Sequence, residues 1–287
     1  MPLLGLRWRS LRLIVPRTFT DAAACTLLSV AIPIVYWFEV FVVMPRVFNS
    51  FFHKFHICLG TFVLLNIITN FVVIMLIDTS TKGHIMPATV PKGWHVCAPC
   101  ENVAPPRARH CGSCGCCILK REHHCIFTGC CIGLYNHRYF FCFLVYMWLS
   151  TLYCSVVNAF FISPYIEEDS IAWTSVRVVL PGLWLIVNPS VETLYGFLFS
   201  LNVIGCLFLS VLLYYYTRQL LTNTTTRERS ENSAISYDKG TLHNIQVVLG
   251  RRWYLTWLFP LVPSTIPYDG LDWSKQLFKP TFEDKSK

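Results

Sequence analysis

Cys97-x2-Cys100-x9-His110-Cys111-x2-Cys114-x2-Cys117-x4-Glu122-His123-His124-Cys125-x5-Cys131, with Cys116 and Cys130 in its gaps, holds nine of the chain's fourteen cysteines. Cysteine at this density, interleaved with histidine, reads as a metal framework. Two tetrahedral zinc sites need eight ligands, each a thiolate or an imidazole, and paired C-x2-C elements with a downstream histidine supply them at usable reach. Among the surplus, Cys125 stands beside Glu122, His123 and His124, surroundings that suit a nucleophile.

Outward from this stretch the chain turns apolar. Its 287 residues are 54% hydrophobic and only 14% charged, so several long segments must find a non-aqueous environment. Four runs are long enough to cross a hydrocarbon core at roughly 20 residues each: Ala23 to Val43, Cys58 to Ile77, Phe140 to Phe161 and Leu194 to Tyr216. Val178 to Val187 is too short to span and contains Pro181 and Gly182, so a re-entrant or interfacial piece is expected there. Trp253 to Val262 follows Arg251 and Arg252, contains Pro260, and suits the membrane surface. The first apolar run is longer than a signal-peptide core and no small-x-small site follows it, which favours a retained anchor.

Lys and Arg set the expected orientation, because basic residues resist translocation. Four lie before the first span (Arg7, Arg9, Arg12, Arg17), seven in the cysteine-rich loop and ten in the tail, against two and one in the remaining loops. Both termini and the cysteine-rich loop are therefore expected in the cytosol. The net charge of +8 follows from this bias and an anionic lipid surface, with no nucleic acid required. A reducing compartment favours zinc or catalysis over disulfides. The expected fold is an α-helical membrane protein: four transmembrane helices with a cytosolic zinc-stabilised cysteine-rich domain between the second and third. Its order is a basic segment (1–22), a helical hairpin (23–77), the zinc domain (79–138), a second hairpin (140–216) and a cytosolic tail (217–287). The polar run Thr222 to Ser233 reads as a loop with a possible helix cap.

The spacing from Cys97 through Asn136 resembles the cysteine-rich domain of the DHHC protein S-acyltransferases, or palmitoyltransferases. Pro105-Pro106-Arg107 before His110-Cys111, and Gly133 and Asn136 after Cys131, fall where that family has them. Thr225-Thr226-Arg227-Glu228 fits its TTxE motif, and Asn244 its tail asparagine. The wording of the tail, with Tyr237, Asp238, Gly240 and Asn244, is similar to the divergent branch that includes the twenty-fourth numbered mammalian member.

The resemblance implies two zinc sites in interleaved order, Cys97, Cys100, His110 and Cys117, then Cys111, Cys114, His124 and Cys131. Both zinc ions would be structural, since protein fills all four positions at each. It implies that Cys125 attacks the thioester of a long-chain acyl-CoA, with His123 taking the thiol proton and Glu122 orienting the imidazole. The acyl group then passes to cysteines of membrane-associated proteins. Thr225, Thr226 and Glu228 are expected to support the catalytic loop, and Asn244 to pack the tail. Arg107, Arg109, Lys120, Arg121 and Arg138 are candidates for the CoA phosphates. Endoplasmic reticulum or Golgi is the family's expected location.

Three departures stand out. Glu122 replaces the signature aspartate, Ile126-Phe127 replaces a Pro-Trp, and Cys130 replaces an asparagine. A changed apolar wall beside the thioester implies altered acyl-chain preference or acyl-CoA affinity. These changes also motivate the competing reading, a catalytically silent zinc-stabilised membrane adaptor. A zinc transporter is disfavoured because intramembrane ligands are sparse, with Glu39 expected at an interface. A DNA-binding finger is disfavoured because the interleaved sites lie between membrane spans. His53, His56, His84, His95, His137 and His243 read as surface or loop residues.

Overall fold

Polar residues with short side chains start the long helices before the apolar runs begin. Thr18 Oγ1 accepts from Asp21 N at 3.1 Å, Asn49 Oδ1 from Phe52 N at 3.1 Å, and Ser190 Oγ from Thr193 N at 3.1 Å. Each satisfies an orphan amide of a first turn. A computed structural model describes residues 7–9, 15–165, 180–231 and 236–273. In it, α1 (Phe19–Phe38) continues through a π-helical turn (Glu39–Val43) into α2 (Met44–Val47). Helices α3 (Ser50–Leu76) and α6 (Val191–Thr222) follow the same logic, whereas before α4 (His137–Ile162) Asn136 Oδ1 accepts from Gly133 N at 2.8 Å. Four segments are long and apolar enough to cross a membrane: Phe19–Val47, Ser50–Leu76, His137–Ile162 and Val191–Thr222. They contain the four expected spans almost entirely, and the helical extensions come from the caps. Between α4 and α6, α5 (Pro181–Val187) has seven residues, about 10 Å at 1.5 Å per residue. That is too short to span. Residues 178 and 179 of the expected re-entrant piece lie outside the described residues.

The chain divides into two compact units. The one made of Ser29–Ile67 and Phe143–Tyr214 is held by ridge packing and interhelical polar bonds. Val43, Val157 and Phe161 form its buried cluster, with Phe38, Tyr153 and Tyr195 packed against it. Asn202 donates to Thr151 O at 3.0 Å and to Ser155 Oγ at 2.8 Å, and Trp148 Nε1 to Ser210 Oγ at 2.8 Å. Glu39, expected at an interface, is instead buried: the π-helical turn carries it inward, where Asn158 Nδ2 donates to its Oε1 at 2.6 Å. Bonds of this kind satisfy polar groups that lipid cannot.

The other unit comprises Met1–Leu28, Ile68–Cys142 and Tyr215–Lys287. It contains three antiparallel hairpins of three-residue strands: β1 (His95–Cys97) with β2 (Asn102–Ala104), β3 (Arg109–Cys111) with β4 (Cys116–Ile118), and β5 (His123–Cys125) with β6 (Cys130–Ile132). Hairpins this small are not stable alone. Gly115 and Gly129 sit at two of the tips with φ of 60° and 59°, the left-handed backbone that glycine adopts without strain. Beyond α6, Thr225 caps α7 (Thr226–Ser230), and Gly240 precedes α8 (Thr241–Leu249). Asn244 is fully buried; its Nδ2 donates to Leu221 O at 2.6 Å and Asp238 Oδ1 at 2.7 Å. Trp253 to Val262 forms turns that expose Tyr254, Leu258, Phe259 and Leu261.

Gly133 marks the tightest packing behind the third hairpin. A Cβ there would lie 2.7 Å from Ile118 Cγ2, from Leu119 O and from Thr79 Oγ1. Gly133→Ala is expected to cost about 1–3 kcal/mol through overpacking, read as a lowered thermal midpoint of the detergent-solubilised protein. An unchanged midpoint would contradict this packing.

Candidate active site and metal centres

The register of the hairpins sorts the chemistry. In the second hairpin His110 pairs with Cys117, flanked by Arg109 with Ile118 and Cys111 with Cys116. In the third, His124 pairs with Cys131, flanked by His123 with Ile132 and Cys125 with Cys130. Directly opposed residues share a face and successive residues alternate. The central His/Cys pair of each hairpin therefore faces one way and the flanking pairs the other. His123 and Cys125 lie together on the face opposite the His124/Cys131 pair.

The donors converge into two groups, Cys97, Cys100, His110 and Cys117, and Cys111, Cys114, His124 and Cys131, with all donor atoms of a group within 4.8 Å of one another. Four donors at zinc-bond lengths around a tetrahedral centre lie about 3.5–3.8 Å apart. Here Cys100 Sγ is 3.8 Å from Cys117 Sγ, and Cys97 Sγ is 3.6 Å from His110 Nδ1. In the second group Cys111, Cys114 and Cys131 lie 3.6, 3.4 and 3.8 Å from His124 Nδ1. Both groups can hold a zinc ion. Cys116 and Cys130 join neither group. Both are buried, and burial pushes each thiol up to about 11.

His124 has a partner the sequence reading missed. Asp21, in the first turn of α1, places Oδ2 3.2 Å and Oδ1 3.3 Å from His124 Nε2. A carboxylate on the free nitrogen of a ligating imidazole fixes its tautomer and raises its basicity. Asp21 is 2% exposed and 103 residues from His124, so nothing local in the sequence announces the pair.

Glu122 is buried in a polar cluster of its own. Its Oε1 is 3.4 Å from Lys120 Nζ and 3.6 Å from His137 Nδ1, and its Oε2 accepts from Thr226 N at 3.2 Å. His137, expected at the surface or in a loop, is 1% exposed because it opens α4 directly behind this cluster. Burial raises the Glu122 carboxyl, with the Lys120 and Arg107 charges opposing. Among the described residues Glu122 makes no hydrogen bond to His123. The partner of His123 Nδ1 is Tyr216 Oη, at 3.1 Å.

Burial also lowers His123 to about 4 and raises the Cys125 thiol above its ordinary value. At neutral pH both groups rest uncharged. Ile126 and Phe127 follow Cys125 at the hairpin tip with their side chains exposed.

TTxE acquires a structural meaning. Thr225 Oγ1 accepts from Glu228 N at 3.3 Å, and Glu228 Oε2 accepts from Thr225 N at 2.8 Å, a capping box at the start of α7. The same Glu228 takes both arms of Arg107, at 2.7 and 2.8 Å, a bidentate charge-assisted pair. Burial alone would raise the Glu228 carboxyl; Arg107, the Thr225 amide and Lys120 together outweigh it and hold it below the usual carboxylate range. Arg107 also bonds Asn223 O at 2.8 Å, and its guanidinium lies 4.1 Å from the Tyr237 ring and 4.6 Å from the Trp273 ring.

Three of the five basic residues expected at the phosphates thus sit in the interior. Arg107 is locked between Glu228 and two aromatic rings. Lys120 is 1% exposed against Glu122. Arg138 is buried, donating to Pro260 O at 3.0 Å and Ser264 O at 3.3 Å and bonding Tyr139. Their charges are neutralised or capped by protein. Arg121 and Arg109 stay partly exposed, and Arg109 lines a cleft of about 330 Å³ with Gly93, His95 and Arg227.

Asp21→Ala is expected to weaken one metal position about 10- to 100-fold. Titrated with a chelator, the variant should release one of two zinc ions at concentrations where the wild type keeps both. Equal retention would remove Asp21 from the metal centre.

The DHHC palmitoyltransferase family model matches residues 90–233, a segment that spans all three hairpins and TTxE. The mouse protein named probable palmitoyltransferase ZDHHC24 (Mus musculus) is 33% identical over 218 residues, 75% of this chain and 76% of its own. The zebrafish protein of the same name (Danio rerio) is 35% identical over 222 residues, 76% and 74% of the two chains. The human palmitoyltransferase ZDHHC15 (Homo sapiens) is 30% identical over 206 residues, covering 68% of this chain and 55% of the relative. With four membrane-length helices, two zinc-type clusters between the second and third, and these matches, the chain belongs to the DHHC palmitoyltransferase family.

Proposed function

We propose that this protein S-acyltransferase works in two steps through a thioester on Cys125, with acyl-CoA as donor and cysteines of membrane-associated proteins as acceptors. The observation that carries this reading is the sorting of His123 and Cys125 onto the non-metal face of the third hairpin. In the first step His123 takes the thiol proton as the Cys125 sulfur attacks the thioester carbonyl. The carbon–sulfur bond to CoA breaks, and the CoA thiolate leaves with the proton from His123. In the second step an acceptor cysteine gives its proton to His123 and attacks the acyl-enzyme. Cys125 leaves as a thiolate and recovers that proton.

Zinc bound at the two clusters holds the hairpins; with four protein donors each, neither position is open to substrate. Glu122 ties the catalytic hairpin to α7 and α4 through Thr226 N, Lys120 and His137. Thr225, Thr226 and Glu228 support that hairpin through the cap and through Arg107, and Asn244 anchors the tail to the end of α6. Arg109 is the residue best placed to receive CoA phosphates, since Arg107, Lys120 and Arg138 are already committed and Arg121 reaches the Cys131 and Cys111 thiols.

The membrane supplies the acyl chain's environment. Each buried CH2 contributes about 0.8 kcal/mol, so a sixteen-carbon chain strongly prefers apolar surroundings. The Lys/Arg bias supports a cytosolic position for both termini and the cysteine-rich loop, and an endoplasmic reticulum or Golgi membrane is the family expectation.

Purified in detergent and given labelled palmitoyl-CoA, the protein is expected to form a hydroxylamine-sensitive adduct. Cys125→Ser should abolish it, while the double variant Cys116→Ser/Cys130→Ser should retain it, with two zinc ions present in each. A folded, zinc-loaded protein that forms no adduct with any of several acyl lengths would instead be the silent adaptor.

A further inference from the structure

We propose that Tyr216 is the positioning residue for His123, filling the place beside the imidazole that Glu122 does not occupy. This rests on the reading that His123 and Cys125 carry the transfer.

The geometry is specific. Tyr216 Oη lies 3.1 Å from His123 Nδ1, with the two rings 5.4 Å apart and inclined by 35°. Phe140 closes the group edge-on, 5.1 Å from His123 and 5.0 Å from Tyr216. Tyr216 is 7% exposed, so its hydroxyl cannot be replaced freely by bulk water. Two rings and one hydrogen bond therefore restrict the imidazole.

Meanwhile the Glu122 carboxylate is fully used elsewhere. Its Oε1 faces Lys120 and His137, and its Oε2 holds Thr226 N. Reaching back to His123 would strand Lys120, a buried cation, without its partner.

The hydrogen bond is compatible with the useful tautomer: a phenol hydroxyl can donate or accept, and where its oxygen accepts from Nδ1–H the lone pair is left on Nε2. His123 and Cys125 share a face, so the free Nε2 is the nitrogen left to take the thiol proton. Because a phenol oxygen carries no full charge, it orients the imidazole in both protonation states without binding either as tightly as a carboxylate would. The proton taken from Cys125 is then readily returned to the departing CoA thiolate.

The test uses the full chain in detergent and follows acyl-enzyme formation by rapid quench over a range of palmitoyl-CoA concentrations. Tyr216→Phe keeps the ring and removes only the hydroxyl. The maximal acylation rate is expected to fall about 10- to 100-fold, the loss typical of a misplaced catalytic group. The half-saturating concentration should change less than twofold, and two zinc ions should remain bound. In a His123→Ala background the same substitution should change the residual rate less than twofold, since a positioning effect vanishes when the positioned group is gone. Phe140→Leu, which removes a ring contact but leaves the hydroxyl, should cost less than Tyr216→Phe. Equal losses with and without His123, or an unchanged rate in Tyr216→Phe, would overturn the proposal while leaving Cys125 as nucleophile. A wild type that forms no adduct on Cys125 would overturn both.

Discussion

Convergence of four soft donors on one point is the constraint on which the rest of this structure depends. Three hairpins with three-residue strands carry too few ladder bonds and too little apolar area to hold a fold. The second hairpin resolves this by serving both centres: its His110/Cys117 pair completes the first group and its Cys111 and Cys114 begin the second. Interleaving of the ligands follows, because a chain that alternates faces must give adjacent residues such as His110 and Cys111 to different sites. The same alternation turns the neighbours of His124 away from the metal. His123 and Cys125, the proposed base and nucleophile, share that other face as a by-product of where ligands must sit.

From that frame, polar contacts reach outward and bind distant segments to it. Asp21 connects α1 to the second metal group, Glu122 connects the third hairpin to α4 and α7, and Arg107 connects the first half of the domain to Glu228 and to the tail aromatics. Arg107 and Lys120 both hold left-handed backbone, with φ of 65° and 42°. Non-glycine residues rarely adopt this region unless the surroundings over-determine it. Here the surroundings do so: each side chain is buried against a carboxylate that also accepts from a backbone amide, Glu228 from Thr225 N and Glu122 from Thr226 N. Buried pairs of this kind contribute less to net stability than to fixing one arrangement, since separating either leaves an uncompensated charge.

Features encoded over short distances were legible in the sequence. The eight donors repeat within a few residues of one another, the four spans declare themselves by length, and Thr225 to Glu228 has the spacing of a capping box. What escaped reading depends on partners far away in the chain. Tyr216 meets His123 across 93 residues, and nothing about one tyrosine in an apolar run distinguishes it from its neighbours Tyr214 and Tyr215. Arg107 was read by its charge, yet its burial depends on Tyr237, Trp273 and Glu228 arriving together. Glu122 was read by its place next to His123, but its carboxylate meets Lys120 and the Thr226 amide, the latter 104 residues away. Its added methylene relative to aspartate extends the carboxylate into the polar cluster at Thr226 N and Lys120.

This arrangement bears on why a thioester can persist here. Burial keeps Cys125 a thiol and His123 a neutral imidazole, so no standing ion pair draws water to the site. A thiolate that exists only while the proton is in transit needs an imidazole already aimed at it, which places the demand on orientation rather than on resting charge. A fixed ring cage meets that demand: Phe140 and Tyr216 restrict the imidazole while presenting little polar surface. In the proposed acyl-enzyme the same rings confine the polar atoms that a hydrolytic water could use to His123 and Tyr216 Oη. An acceptor thiol tethered to the membrane surface brings its own high local concentration. In the proposed reading, that local concentration favours transfer over hydrolysis.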